Sequence, residues 1–152
     1  MRKLVFIVLL LCSFSVKAQE LRWESDVAKA CEASIKSKKP LLLFFTGSDW
    51  CGWCMKLQND VFKKQEFTKW SNENVILVEL DFPKRKQLSP ELTKQNQELQ
   101  QMFEVRGYPT VWFVLPSKTN GKISFDKLGS TGYDSSVENW INNSNAILKT
   151  KK

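Results

Sequence analysis

The spacing of apolar residues along the chain predicts an alternation of helices and strands. Four stretches carry apolar or small residues at every third or fourth position, which is typical of helices that bury one face. Four shorter runs, bounded by proline, glycine or polar residues, are typical of strands. The predicted helices lie near 26–38, from Cys51 onward, from Ser89 to Gly107 and from Asp134 onward, and the predicted strands at 41–45, 75–80, 110–115 and 122–128.

The order of these elements predicts an α/β fold. Strands joined through a helix run parallel, whereas strands joined by a short turn run antiparallel. The helix after Cys51 joins the first two predicted strands, and a turn over 116–121 joins the last two. We therefore predict a single domain over 19–152, built on a mixed sheet with flanking helices.

The amino terminus has the pattern of a cleaved secretory signal. Arg2 and Lys3 form a basic start, an apolar run follows over 4–16, and small or modest residues lead to Ala18. We therefore predict that residues 1–18 are removed and that the mature protein is periplasmic or secreted.

Two other interpretations of this segment are weaker. The apolar run is shorter than the roughly 20 residues that cross a bilayer, which disfavours a permanent transmembrane helix. A lipoprotein signal ending at Cys12 would need a small residue before it, and Leu11 is large.

Composition excludes several kinds of chemistry. The chain has 152 residues and no histidine, which excludes Ser-His-Asp and Cys-His catalysis and every histidine-ligated metal site. Its formal charge is +7, but part of this lies in the predicted signal, and the remaining lysines are scattered. We therefore expect no nucleic-acid partner.

Cys51 and Cys54 are separated by two residues at the predicted start of a helix. Free backbone N–H groups and the positive helix end lower the pKa of a thiol in that place. A thiolate attacks disulfides, and a second thiol three residues later can resolve the mixed disulfide without a cofactor. We expect Cys51 to be the exposed nucleophile and Cys54 the more buried resolving thiol.

Other interpretations of the cysteines remain open. Zinc is disfavoured because the mature chain offers three cysteines and no histidine, and a purely structural disulfide would close too small a loop to stabilise much. Cys31 is expected to be a small buried residue on the first helix. A non-catalytic module could bind Cu(I) through Cys51, Cys54 and Met55. Helical geometry, however, predicts that Met55 faces the core.

The segment Trp50-Cys51-Gly52-Trp53-Cys54 after an apolar strand, with Gly107-Tyr108-Pro109-Thr110 later, resembles the thioredoxin family over about residues 25–150. The resemblance implies a mixed sheet of four to five strands and thiol-disulfide oxidoreductase activity. It is nearer to exported, periplasmic thioredoxin-related proteins, and it implies Cys51 as nucleophile, Cys54 as resolving thiol and a cis peptide bond before Pro109.

The resemblance also suggests where a substrate binds. A cis bond at Pro109 would expose the backbone of Tyr108 to an extended substrate segment. Trp50 is expected to be either a core residue or an apolar lip beside the cysteines. The basic run Lys84-Arg85-Lys86 follows a parallel strand and should emerge near Cys51, where it is either a solvated loop or a site that attracts acidic substrates.

One position departs from the family pattern. Many thioredoxins carry a buried carboxylate six residues before the first cysteine, and here that residue is Phe45. Our hypothesis is that Glu79, in the neighbouring strand, supplies the carboxylate as proton acceptor. The alternative is that Glu79 points to an exposed edge.

The residues between the cysteines favour a reductant. Gly52 and Trp53 provide no histidine donor to stabilise a thiolate, which argues against a strong oxidant. The prediction is an exported protein, expected to be monomeric, that reduces or isomerises disulfides of other exported proteins. Its own disulfide would be reduced again by a membrane thiol-disulfide electron donor. The alternative activity is a dithiol oxidant.

Overall fold

The structure is a computed structural model that describes residues 21–150, in which five strands form one sheet. The strands are β1 (Trp23–Glu24), β2 (Leu41–Thr46), β3 (Ile76–Asp81), β4 (Thr110–Thr119) and β5 (Lys122–Thr131). The helices are α1 (Val27–Ser37), α2 (Gly52–Leu57), α3 (Gln65–Asn74), α4 (Pro90–Met102) and α5 (Val137–Leu148), and a π-helical segment (Gln58–Phe62) continues α2. The predicted signal, 1–18, lies outside the described residues.

The sheet has the strand order β1-β3-β2-β4-β5, with β2 at its centre. Strand β2 runs parallel to β3 and antiparallel to β4, and β4 forms a hairpin with β5. The predicted thioredoxin-like mixed sheet is therefore confirmed. Because β2 and β3 are parallel and β4 is antiparallel to them, the carboxyl ends of β2 and β3 and the amino end of β4 share one edge.

The core lies on both faces of the sheet because β2 is buried along its whole length. Leu42 and Phe44 point to the face covered by α2, α3 and α5, while Leu41, Leu43 and Phe45 point to the face covered by α1 and α4. Alternate residues of a strand point to opposite faces, so a continuous apolar run is what a central strand requires.

Aromatic rings fill the face that carries the cysteines. Trp140 of α5 is fully buried, and its ring meets those of Phe62, Phe67 and Trp70 at centroid distances of 5.5, 5.5 and 5.8 Å. The Trp140 indole N–H also donates to the carbonyl oxygen of Gly132 at 3.1 Å. This cluster joins the π-helical segment, α3 and α5, and Trp140 also contacts Phe113 of the sheet.

Several predicted element bounds are corrected by the structure. The helix after Cys51 is divided into α2, the π-helical segment and α3, and the two-residue strand β1 is too short to have been predicted. Helix α4 ends at Met102, before Gly107. Helix α5 begins at Val137 because the Ser136 hydroxyl caps it by accepting from the N–H of Asn139.

Pro116 was predicted to open a turn but lies inside β4. The pairing of β4 with β2 reaches only Val114, opposite Leu41, whereas its pairing with β5 continues to Thr119. At Pro116 one side of β4 is therefore an edge, where the missing N–H of proline is tolerated.

Among the helices of the described residues, none combines the length and the apolar character needed to cross a membrane.

Candidate active site

Three loops meet at the edge of the sheet where β2 and β3 end. The first, over 47–51, leads from β2 into α2, and the second, over 82–89, leads from β3 into α4. The third is Gly107-Tyr108-Pro109, directly before β4. The topology thus brings the cysteine motif and the proline motif, which are far apart in sequence, to one place.

Cys51 and Cys54 are joined in a disulfide at the start of α2, with their Cα atoms 5.3 Å apart. Cys51 is the N-cap residue, and its sulfur accepts a hydrogen bond from the backbone N–H of Cys54 at 3.2 Å. The backbone N–H of Cys51 donates to the carbonyl oxygen of Gly47 at 2.9 Å, which turns the chain into the helix. The local fold therefore directs a helix N-terminal N–H group at the first sulfur.

The two cysteines differ only slightly in exposure. Cys51 is 5% exposed and Cys54 is fully buried. The expected order is observed, but Cys51 is nearly buried rather than exposed. The reason is that Cys51 belongs to the apolar cluster that contains Phe44 and Leu57, so only a small part of it reaches the surface.

Trp50 contacts all three loops. Its ring lies against Gly47, its indole N–H donates to the carbonyl oxygen of Phe82 at 2.7 Å, and its ring meets the edge of Tyr108 at 5.8 Å. The side chain is nevertheless 37% exposed. Trp50 is thus a surface residue beside the cysteines and not part of the core.

Gly52 and Trp53 lie on the surface between the two cysteines. Trp53 is 57% exposed, and its ring packs on that of Tyr133 at 5.1 Å. Nothing lies within 4 Å of the place a Cβ would take at Gly52. The surface above the nearly buried disulfide is therefore formed by an open glycine position and an exposed aromatic ring.

The Tyr108–Pro109 peptide bond is cis. The Tyr108 hydroxyl accepts a hydrogen bond from Nε2 of Gln100 at 2.7 Å, and burial raises its pKa. The Tyr108 ring also packs on Phe82 at 5.3 Å, and the Thr110 hydroxyl donates to the carbonyl oxygen of Gly107 at 2.7 Å. The ring contact with Phe82 holds the proline loop against the loop that follows β3, and the hydrogen bond from Gln100 holds it to α4.

Glu79 is half-buried on the same side of the sheet as the cysteines, since its register partner in β2 is Phe44. It lines a cavity of about 180 Å³ with Phe44, Gln58 and Phe62, and neither cysteine lines that cavity. Burial raises the pKa of Glu79, the negative charge of Asp81 raises it further, and Lys86 lowers it. Its proposed role as a proton acceptor stays a hypothesis.

Two carboxylates of the site were missed by the sequence analysis. Asp81 accepts hydrogen bonds from the N–H and hydroxyl of Ser48 at 2.8 and 2.6 Å and forms an ion pair with Lys86 at 2.9 Å. Asp49 accepts from the backbone N–H groups of Lys84 and Arg85 at 2.9 and 2.7 Å. The two polar residues Ser48 and Asp49, placed between an apolar strand and the cysteines, were the only sign in the sequence that this loop forms polar contacts.

The basic run lies beside the cysteine motif, as its position after a parallel strand predicted. Asp49 holds the backbone of Lys84 and Arg85 next to Trp50. The hydrogen bond from Trp50 to Phe82 fixes the beginning of the same loop.

Cys31 and Met55 are the two other sulfur-containing residues that the sequence analysis considered. Cys31 is a free, fully buried thiol on α1, and burial together with the charges of Asp26 and Glu32 raises its pKa to about 11. Met55 was expected to face the core but is 40% exposed, because the buried side of α2 is made by Cys54 and Leu57. Within residues 21–150, no three His, Cys, Asp or Glu side chains are grouped as metal ligands would be.

Comparison with known proteins agrees with this geometry. A family model described as thioredoxin-like matches residues 22–116. The disulfide bond reductase DsbH of Chlamydia pneumoniae is 37% identical over 124 residues, which are 81% of this chain and 74% of that protein. The solved structure of a DsbH oxidoreductase has a TM-score of 0.75 at 32% identity and covers 85% of both chains. A thioredoxin from Thermus thermophilus, at 15% identity, covers 84% of this chain and 86% of its own with a TM-score of 0.61, a likeness of fold alone.

Proposed function

Because the chain belongs to the thioredoxin-like family and carries the bonded Cys51–Cys54 pair, it is a thiol-disulfide oxidoreductase, and we propose that it acts as a reductase of other exported proteins. The observation that carries the proposal is the hydrogen bond from the N–H of Cys54 to the sulfur of Cys51. In the reduced protein the same N–H group and the positive helix end would stabilise a Cys51 thiolate.

The reaction exchanges two electrons through one mixed disulfide. The Cys51 thiolate attacks a sulfur of the substrate disulfide, a new S–S bond forms, and the other substrate sulfur leaves and takes a proton. The Cys54 thiol then loses its proton and attacks the Cys51 sulfur. The second substrate sulfur leaves as a thiol, and the protein ends with the Cys51–Cys54 disulfide seen in the structure.

Substrate is proposed to bind as an extended segment along Tyr108 and Pro109. The backbone of residue 108 would offer it an edge to pair with, as an exposed strand edge does. Trp50 and Trp53 are both partly exposed and border the cysteines on the surface, where they would cover the mixed disulfide. Gly52 keeps the space between them open.

The direction of electron flow is proposed to be reductive. No histidine is present to stabilise the thiolate further, so the reduced form has less of the stabilisation that makes a strong oxidant. The relative DsbH of Chlamydia pneumoniae is named a disulfide bond reductase. A reductase outside the cytosol needs an electron donor, and we propose a membrane thiol-disulfide relay. Periplasmic or secreted localisation belongs to the same proposal.

Turnover of a protein disulfide with dithiothreitol as electron donor tests the activity. The wild-type protein should reduce insulin, and Cys51→Ser should abolish turnover. Cys31→Ser is the matched control because Cys31 is outside the site, and it should keep turnover. Copper bound in stoichiometric amount without any turnover would instead support the Cu(I)-binding alternative.

Equilibration against glutathione tests the direction. A glutathione pool can be set at a potential that reduces the disulfide of a strongly oxidising protein. In that pool a reductase should stay mostly in its disulfide form, because its disulfide is harder to reduce. A pair that is mostly reduced under those conditions would identify a dithiol oxidant and contradict the proposed direction.

A further inference from the structure

The loop after β3 is hydrogen-bonded to the cysteine motif. The carboxylate of Asp49, two residues before Cys51, accepts the backbone N–H groups of both Lys84 and Arg85. The indole of Trp50 binds the carbonyl oxygen of Phe82 in the same loop. The backbone of Lys84 and Arg85 is therefore held next to the active site.

Lys84 extends over the exposed Trp50 ring. Its Nζ lies 4.0 Å from the ring centroid, within the range of a cation–π interaction. Within residues 21–150, neither Lys84 nor Arg85 forms an ion pair with a carboxylate, whereas Lys86 pairs with Asp81. The partly exposed carboxylate of Asp49 accepts hydrogen bonds from the backbone of the loop, and its charge also interacts with that of Arg85. Lys84 and Arg85 together still outnumber this one carboxylate. The side of the site near Trp50 thus presents two cationic side chains to solvent.

The opposite side of the site carries one basic and two acidic side chains close to Trp53 and Tyr133. Lys56 lies 5.0 Å from the centroid of Trp53, but Asp60 binds the hydroxyl of Tyr133 beside the same ring at 2.8 Å. Asp134 also acts on that hydroxyl through its charge. An excess of basic side chains is therefore found on the Trp50 side and not on the Trp53 side.

We propose that this positive surface, formed by Trp50, Lys84 and Arg85, selects partner proteins that carry Asp or Glu close to the target disulfide. The inference rests on the proposed function, because the partner is the substrate whose disulfide Cys51 attacks. A carboxylate within a few residues of the target cysteine would reach Lys84 or Arg85 while its apolar neighbours cover Trp50. Opposite charges at such a rim increase association rates and discriminate between partners.

The test compares disulfide peptides that differ only in the residues flanking the cysteine, which are Glu, Gln or Lys. We expect kcat/KM for the Glu peptide to exceed that for the Lys peptide by about tenfold at low salt. The ratio should fall toward one as salt shortens the Debye length to about 3 Å at 1 M. A neutral small-molecule disulfide is measured in parallel as the readout of the basic activity.

The double variant Lys84→Gln/Arg85→Gln should lower the Glu-to-Lys preference to within about twofold of one. The control Lys118→Gln/Lys122→Gln removes equal charge at the distant β4–β5 turn and should keep the wild-type preference. Reduction of the neutral disulfide with no preference among peptides would overturn this inference and leave the proposed function intact. Failure to reduce the neutral disulfide would instead overturn the proposed function. Equal rates for all peptides, with binding to anionic vesicles lost in the double variant, would assign the surface to a membrane.

Discussion

The ring of Trp50 lies against the backbone of Gly47, in the space that a side chain at residue 47 would need. From this position the indole N–H reaches the carbonyl oxygen of Phe82. A glycine four residues before Cys51 therefore determines where the exposed tryptophan stands, and with it the shape of the surface around the disulfide.

Replacing Gly47 by alanine should displace the Trp50 ring. A Cβ at residue 47 would overlap the ring, and relief of this clash breaks the hydrogen bond to Phe82. We expect the free energy of unfolding to fall by about 1–3 kcal/mol, with a red-shifted tryptophan emission. Chemical denaturation and fluorescence measure both. Gly107→Ala is the control, since no atom lies within 4 Å of its Cβ position, and an equal effect of the two variants would contradict this account.

Asp49→Ala should release the loop that carries Lys84 and Arg85. Their two amide protons lose their acceptor, so their hydrogen exchange should become at least about fivefold faster, as measured by NMR. Asp126→Ala, a surface substitution on β5, should leave both amides unchanged. Unaltered protection in Asp49→Ala would show that Asp49 does not hold the loop.

The same carboxylate predicts how the loop responds to acid. The backbone N–H groups of the loop lower the pKa of Asp49 below its usual 3.8. An acid whose pKa is lower in the folded than in the unfolded state stabilises the fold at any pH above its unfolded-state pKa. This stabilisation is lost as the pH falls through the pKa of the folded state. The amides of Lys84 and Arg85 should therefore stay protected at pH 4 and lose protection only in stronger acid.

Glu79→Gln should stabilise the protein at neutral pH. Burial raises the pKa of Glu79 above its usual 4.5, so the folded state binds the proton more tightly than the unfolded state. The free energy of unfolding then falls as the pH rises from 4.5 through the pKa of Glu79 in the folded state. At any pH above that pKa, the folded protein carries the full destabilisation from the buried, ionised carboxylate. Urea denaturation should find the variant more stable than wild type at pH 7 and equal to it below pH 4. Glu73→Gln, on exposed α3 surface, is the control.

A kinetic measurement on the same variant tests the proton-acceptor hypothesis. If Glu79 takes the proton of Cys54, Glu79→Gln should slow release of a thiol-labelled substrate from the mixed disulfide. An unchanged release rate across pH would rule out that role, while the stability change would still report burial of the carboxylate.

Trp140→Ala should destabilise the fold without removing any group of the reaction. The side chain is fully buried among the rings of Phe62, Phe67, Trp70 and Phe113. Truncation of such a residue costs about 3–5 kcal/mol, measured by chemical denaturation. A loss below about 1 kcal/mol would contradict the central position given to this cluster.

Local patterns were sufficient to predict much of the fold. The apolar run 41–45 could only be a buried strand, because it is too short for a buried helix and is bounded by Pro40 and Gly47. Ser89 before Pro90 marked the start of α4 correctly, since both residues favour the same position at a helix start. The helix start at Cys51 was predicted for a different reason, since Met55, Leu57, Val61 and Phe62 follow it at helical spacing.

Features that depend on contacts between distant segments were not predictable. Strand β1, Trp23–Glu24, pairs with β3 but has only two residues, which is too few to show the apolar and polar alternation that identifies a strand. The bonds from the loop of Lys84 to Asp49 join residues more than thirty positions apart, and nothing in either segment specifies the other. The low exposure of Cys51 likewise follows from packing around Phe44 and Leu57, which the local sequence does not encode.

The rate of Cys51 alkylation as a function of pH, followed in the reduced protein by peptide mass mapping, measures the thiol ionisation on which the proposed reaction depends. We expect Cys51 to titrate with an apparent pKa well below the value of about 8.5 for a free thiol. Cys54 should react far more slowly, and Cys31, whose pKa is raised to about 11, should not react at neutral pH. A Cys51 that titrates at or above the free-thiol value, or a Cys54 that reacts first, would be incompatible with Cys51 as the activated nucleophile.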